Sequence, residues 1–246
     1  ALGEDAQRRV SQEAFLRPDR WATALRHVYL SDPTAAQLLC DIGTGQDAAT
    51  LRSAASSRKW LRPMATRITR RLAPQVLLRD LGPVTIAIGD HEPKRTLRRK
   101  VLGLLCFMAS RPGMACTRDE ALEAIWPDLG PDTAANSLHQ TIYYLRRVFE
   151  PTYKEGMSAG YLEFDGDVLT LDKDLVDAES RRCWRLVGRG RRGDRDAVEE
   201  LVAMYRGTYA LDFAYEDWAT DYRENLHAAV LGVVEAEARD ATRGGN

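Results

Sequence analysis

NSLHQTIYYLRRVFEP, residues 136–151, is the stretch on which the reading of this chain turns. Leu138, Ile142, Leu145 and Phe149 fall at i, i+4, i+7 and i+11, which predicts a helix burying one narrow apolar stripe. The opposite side carries Asn136, Gln140, Tyr143 and Arg147, with His139 and Arg146 on one flank and Tyr144 on the other. A merely solvated face usually carries Glu and Lys. Here it carries amides, phenols and guanidiniums.

The elements around this helix follow a recognisable order. Upstream, Thr117-Arg118-Asp119-Glu120 has the spacing of a capping box ahead of Ala121, Leu122, Ile125 and Trp126. A loop from Pro127 to Pro131 separates the two helices, and Asp132 or Thr133 opens the second. Further upstream, Thr96 caps an expected helix over 97–109, with Leu97, Val101, Leu104, Leu105 and Met108 on one face, ended by RPGMA. QVLLRDLGPVTIAIGD (75–90) gives two β-rich runs, 76–81 and 84–88, split by Gly82-Pro83. Downstream, a polar loop over 150–160 leads to a second hairpin, Tyr161–Phe164 and Val168–Leu171, turning at Asp165-Gly166-Asp167. That tripeptide suits a type I′ turn, and no further ligands follow at calcium-loop spacing.

Both flanks read as helical. Residues 1–74 break into short helices near 11–16, 19–30, 33–42, 47–56 and 60–72, punctuated by RPDR, SDPT, IGTGQD and LRP. After 173, helices are expected over 174–188, 195–206 and 216–241, a tetratricopeptide-like stacking without a clear internal repeat. The expected organisation is a helical segment 1–74, a winged-helix domain 75–172 and a second helical segment 173–246. The fold class is mainly α with small β.

Composition narrows the function. At 246 residues, 44% hydrophobic and 29% charged, the chain has the balance of an ordinary soluble protein, with no apolar run long enough to span a bilayer. Cys40, Cys106, Cys116 and Cys183 are scattered without CxxC or Cys/His spacing, so reduced thiols in a cytoplasm, no metal and no cofactor are expected. No nucleophile–base arrangement, phosphate loop or metalloprotease motif is present at its required spacing, which argues against an enzyme. Trp126, Trp184 and Trp218 read as packing residues. Charge is unevenly spread. Residues 1–75 hold 12 Lys/Arg against 7 Asp/Glu, residues 76–172 hold 11 against 14, and residues 173–246 hold 12 against 15.

Strands, helix, helix, longer helix and hairpin is the order of a winged helix-turn-helix with an extra N-terminal sheet. In that architecture the third helix enters the major groove, the start of the second meets phosphate and the wing lies by the minor groove. Asn, Gln, His and Arg pair with base edges or phosphates. The candidate DNA-binding residues are therefore Asn136, His139, Gln140, Tyr143, Tyr144, Arg146 and Arg147. To these are added Thr117 and Arg118, Arg98, Arg99 and Lys100, and Gly166 at the wing tip. Lys94 and Arg95 extend the basic run before the first helix, and Arg58, Lys59, Arg62, Arg67, Arg70 and Arg71 form a separate basic cluster.

RRKVLGLLCFMASRPGMACTRDE followed by ALEAIWPDLGPDTAANSLHQTIYYLRRVFEP (98–151) resembles the response-regulator-type winged helix of the antibiotic-regulatory-protein (SARP) family. The resemblance rests on Trp126-Pro127, Ala135-Asn136-Ser137-Leu138 and Leu145-Arg146-Arg147. LVDAESRRCWRLV (175–187) and MYRGTYALDFAYEDWATDYRENL (204–226) are similar to the start of the bacterial transcriptional activator domain (BTAD), through Val176-Asp177-Ala178, Tyr205-Arg206-Gly207 and Trp218. The resemblance implies a transcriptional activator that binds direct repeats in double-stranded DNA, as a homodimer, and recruits RNA polymerase, with loop 127–132 as the contact. It further implies that the chain is the C-terminal part of a larger ATPase-containing regulator. The acidic balance of 76–172 keeps one rival open: a winged helix without DNA binding that serves as an interaction module within a signalling ATPase.

Overall fold

The computed structural model describes residues 4–93 and 97–244. The chain divides into two compact units, and the division differs from three segments in series. One unit holds the N-terminal helices together with residues 150–160; the other holds 74–149 and 161–246.

The first unit comprises α1 (Glu4–Leu16), α2 (Pro18–Leu25), α3 (Pro33–Ile42), α4 (Gly45–Ala54), a 3-10 turn at Lys59–Leu61 and α5 (Arg62–Arg71). Local chemistry sets the boundaries. Asp32 caps α3 by accepting from Thr34 N at 2.8 Å, with Pro33 supplying a preset φ at the first helical position. Thr44 is the cap of α4, three residues before the helix start expected near 47, and Asp47 closes the capping box by accepting from Thr44 N at 2.8 Å. Arg26 grips the same buried carboxylate at 2.7 and 2.8 Å, and that pairing first of all holds Asp47 down at a pKa of about 2. Leu39, Cys40, Leu51, Leu61, Ala65 and Ile68 form the core.

Residues 150–160, expected as a plain polar loop, belong to this helical unit. Met157 is buried in the core just named. Glu150 pairs with Arg52 at 3.2 Å and accepts from Ser158 Oγ at 2.8 Å and Ala159 N at 3.1 Å. Arg70 donates to the Ala159 carbonyl at 3.2 Å and anchors the far end.

The second unit starts with β1 (Val76–Arg79) and β2 (Thr85–Ile88), an antiparallel pair. α6 (Arg99–Ser110) follows, and with eight of its residues buried, 103–109 without a break, it is the central helix. Its cap is Arg98, which offers no side-chain bond. Lys94, Arg95 and the expected cap Thr96 lie outside the described residues. Next come β3 (Ala115–Thr117), α7 (Arg118–Ile125), α8 (Pro131–Phe149) and the hairpin β4 (Leu162–Asp165) and β5 (Val168–Leu171). β6 (Val176–Ala178), α9 (Glu179–Gly190), α10 (Arg195–Met204), a 3-10 turn at Leu211–Phe213 and α11 (Asp217–Gly244) complete the chain.

Two short strands go beyond what the sequence pattern predicts. β3 adds to the wing hairpin to give a three-stranded sheet ordered β3-β5-β4. β6 runs parallel to β1, Val76 opposite Val176 and Leu78 opposite Ala178, in a sheet ordered β2-β1-β6. The helix expected from residue 174 therefore begins at Glu179, because 176–178 spend their backbone groups on β1.

β6 ties the C-terminal helices to the winged helix, and side chains reinforce the join. Phe213, on the 3-10 turn, lies so close to α6 that a Cβ on Gly103 would sit 3.1 Å from its ring. Trp218 stacks edge-on against Phe107 at 5.8 Å, and the buried hydroxyl of Tyr209 donates to the Cys106 carbonyl at 2.7 Å. The 74–149 and 161–246 segments thus share one core.

Asp80 sits inside that core, fully buried, at the start of α9. It accepts from Ser180 N at 2.8 Å and from Ser180 Oγ at 2.6 Å, capping the helix from a distant strand end. Burial raises its pKa to about 7, with the Ser180 hydrogen bonds opposing the rise. A pKa raised on folding means the folded state holds its proton while the unfolded chain has released it. The stabilisation is complete below the unfolded pKa of about 4 and is lost as pH climbs through 7. Denaturation midpoints are expected to fall from pH 5 to pH 7.5, and Asp80→Asn should flatten that slope. An unchanged slope in the variant would show that another group carries it.

Candidate nucleic-acid interface

α7 and α8 form the helix-turn-helix. The Thr117–Glu120 capping box starts α7: Thr117 Oγ1 accepts from Glu120 N at 3.2 Å and Glu120 Oε2 accepts from Thr117 N at 2.7 Å. The turn at residues 127–130 is exposed, and α8 opens at Pro131, one residue before Asp132 and two before Thr133. On α8, Leu138 and Leu145 are 0% exposed, Ile142 3% and Phe149 2%, so the stripe faces inward as its spacing requires.

The opposite face is therefore outward. Asn136, His139, Gln140, Tyr143 and Arg147 are exposed, and Tyr144 and Arg146 are half-buried. These seven candidates lie on one helix, and the structure brings the wing to its flank. Arg146 Nε donates to the Leu162 carbonyl at 3.1 Å, and the His139 ring meets Phe164 edge-on at 5.6 Å. Arg118 N, at the start of α7, donates to the Asp167 carbonyl at 2.6 Å. The wing is thus pinned to both helices of the motif.

Gly166 lies at the wing tip with φ of 58°, a left-handed conformation that glycine adopts without strain. β4 and β5 pair up to Asp165 and Val168, leaving Gly166 and Asp167 as the two-residue turn. Only Gly166 of these has positive φ, which is the type II′ pattern and corrects the I′ assignment.

Two basic candidates, though exposed, are engaged with neighbouring elements. Arg99 donates to the Asp212 carbonyl at 2.5 Å, pairs with Glu216 at 3.0 Å and lies over the Phe213 ring at 4.8 Å. Lys100 donates to the Ile125 carbonyl and so satisfies the C-terminal end of α7. Both fasten neighbouring elements together. Arg98 is exposed, while Arg118 is half-buried with a buried Nε that has no hydrogen-bond partner. Glu163, Asp165 and Asp167 are exposed on the wing, while the outward face of α8 from Asn136 to Arg147 carries no carboxylate. Among the described residues no group of His, Cys, Asp or Glu is placed to hold a metal ion, and no helix is long and apolar enough to cross a membrane.

Residues 92–158 match the family described as transcriptional regulatory protein, C terminal. That span covers α6, β3, α7 and α8 and stops short of the wing. Among solved structures, Mycobacterium tuberculosis EmbR, in complex with a low-affinity phosphopeptide, is similar to this chain with a TM-score of 0.58 and 16% identity. The likeness covers 70% of this chain and 47% of that one, so it spans about half the length of EmbR. At such low identity it is a likeness of fold. No curated protein matches. The mainly α, winged-helix architecture is thereby one that this chain shares with EmbR.

Proposed function

We propose that this chain is a sequence-specific DNA-binding transcriptional regulator in which α8 reads the major groove. The observation that carries the reading is the outward face of α8: amides, an imidazole, phenols and a guanidinium, on a helix fixed from behind by a fully buried stripe. A groove about 12 Å wide admits one helix, and a reading helix works only if its orientation is held. The wing contacts to Arg118 N, Arg146 and His139 supply that rigidity.

Within this reading, Asn136 and Gln140 address bases, Arg147 meets phosphate, and Tyr143 and Tyr144 add phosphate or methyl contacts. Thr117 and Arg118 face phosphate at the start of α7, as does Arg98 before α6. The finer role is activation. A homodimer on direct repeats would present the exposed turn 127–132, with Leu129 40% exposed, to RNA polymerase. The regulator would operate in the cytoplasm, its helices after β6 acting as a tetratricopeptide-like activator domain.

A mobility-shift series against salt tests the reading. Measurable binding with affinity falling steeply as salt rises is expected, and Arg147→Ala should reduce the slope by about one unit on every sequence tried. Arg146 differs because its guanidinium also holds the wing, so Arg146→Ala should weaken binding beyond its share of the salt slope. A second reading, a protein-docking winged helix, draws on the acidic wing and on Arg99 and Lys100 being engaged within the fold. It is the result if wild-type protein fails to shift promoter DNA even at low salt.

A further inference from the structure

An open cleft of about 400 Å³ lies where the end of α6 meets α9 and α11, lined by Arg111, Arg181, Arg185, Trp184, Tyr222 and Ser110. No carboxylate lines it. Asp177 sits to one side and pairs with Arg182 at 2.7 Å and Arg185 at 2.9 Å. Arg111 and Arg181 form no ion pair among the described residues. Arg181 is held in place by its Nη1, which donates to the Ala109 and Arg111 carbonyls at 3.1 and 3.3 Å. The Arg111 guanidinium is fixed over the Phe107 ring at 4.3 Å, and its buried Nε has no hydrogen-bond partner. Arginine guanidiniums that line a cleft without a carboxylate partner suit an oxyanion, which their N–H fork can meet with two hydrogen bonds.

The remaining wall is aromatic. The Trp184 and Tyr222 rings stand 6.4 Å apart at 63°, with Tyr222 steadied by donation to Ser180 Oγ at 3.3 Å. The half-buried indole leaves π surface to the cleft, onto which a flat ring can pack. The volume is within the range of small-molecule sites.

We propose that this cleft binds a small phosphomonoester bearing a flat ring, the chemistry of a nucleoside monophosphate. Arg111 and Arg181 would take the phosphoryl oxygens, Arg185 at the cleft rim would add a third cationic contact to them, and Trp184 would take the ring. The inference is independent of DNA reading by α8. Calorimetric titration of the whole chain with adenosine monophosphate, inorganic phosphate and adenosine tests it. Saturable binding of the monophosphate is expected, at least about tenfold tighter than either fragment. Arg181→Gln and Arg185→Gln should each weaken it by about tenfold, a change worth roughly one hydrogen-bonded charge contact. Arg185 is largely exposed, so its variant keeps the test informative if loss of Arg181 disturbs the fold. Phosphate binding as tightly as the monophosphate would overturn the ring contact, and adenosine doing so would overturn the anion contact. The whole proposal falls if the monophosphate gives no saturable heat at millimolar concentration.

Discussion

Leu145→Ala is expected to lower the unfolding free energy by about 2 to 5 kcal/mol, the usual cost of removing a fully buried leucine and leaving a void. Leu145 is 0% exposed, near the middle of a stripe bounded by Leu138 and Phe149, and Phe149 itself packs on Tyr161 with ring centroids 5.5 Å apart. The stripe is the apolar surface that joins α8 to the rest of the fold, so a void there also releases the orientation of the outward face. Denaturant melts of the variant, with Tyr143→Ala as a control on the exposed side of the same helix, measure the effect. The control should change stability by less than about 0.5 kcal/mol, as surface substitutions do. A loss below roughly 1 kcal/mol for Leu145→Ala would mean that the stripe is not the contact surface.

The second large effect concerns specificity. Asn136 and Gln140 lie one turn apart on the exposed face, and each carboxamide offers the paired donor and acceptor that fit the N6 and N7 edge of adenine. Replacing either with Ala should remove about 1 to 3 kcal/mol of discrimination at one base position. Affinity for operators already altered at that position should barely move. Binding to a panel of single-base variants at fixed salt resolves the two. A uniform loss across the panel would reassign the residue to phosphate contact. Arg147 is expected to show that uniform pattern, because α8 ends two residues later and a helix leaving the groove meets the backbone.

Much of this architecture is visible in particular residues. The four-residue box beginning at Thr117 announces α7, the 4-3-4 spacing of Leu138, Ile142, Leu145 and Phe149 sets the buried side of α8, and Asp32-Pro33 starts α3. Each is local chemistry, complete within a few turns of helix. The second hairpin is equally legible because a two-residue turn brings its strands together, although the type of turn depends on the φ of Asp167, which the glycine beside it does not dictate.

Longer-range features escape a local reading. β3 and β6 are three residues each, too short for any alternation to register, and each exists only because a partner strand far along the chain offers its edge. Arg99 and Lys100 read as a basic run, but their partners, Glu216, the Asp212 carbonyl and the Ile125 carbonyl, come from other elements. Asp80 looks like any strand-end carboxylate until α9 is brought to it, and its raised pKa follows from burial first of all.

The sequence by itself determined most of the helices, several of their caps, the order that makes a winged helix, and which side of α8 faces out, since periodicity and capping are encoded within a few residues. The tertiary structure alone decided which cations remain available to a ligand, that residues 150–160 join the N-terminal helices, and that β6 and the Phe213 turn make one core of the winged helix and the helices after it. Those outcomes rest on pairings between residues tens of positions apart, whose energies depend on burial and partner geometry that no local pattern carries.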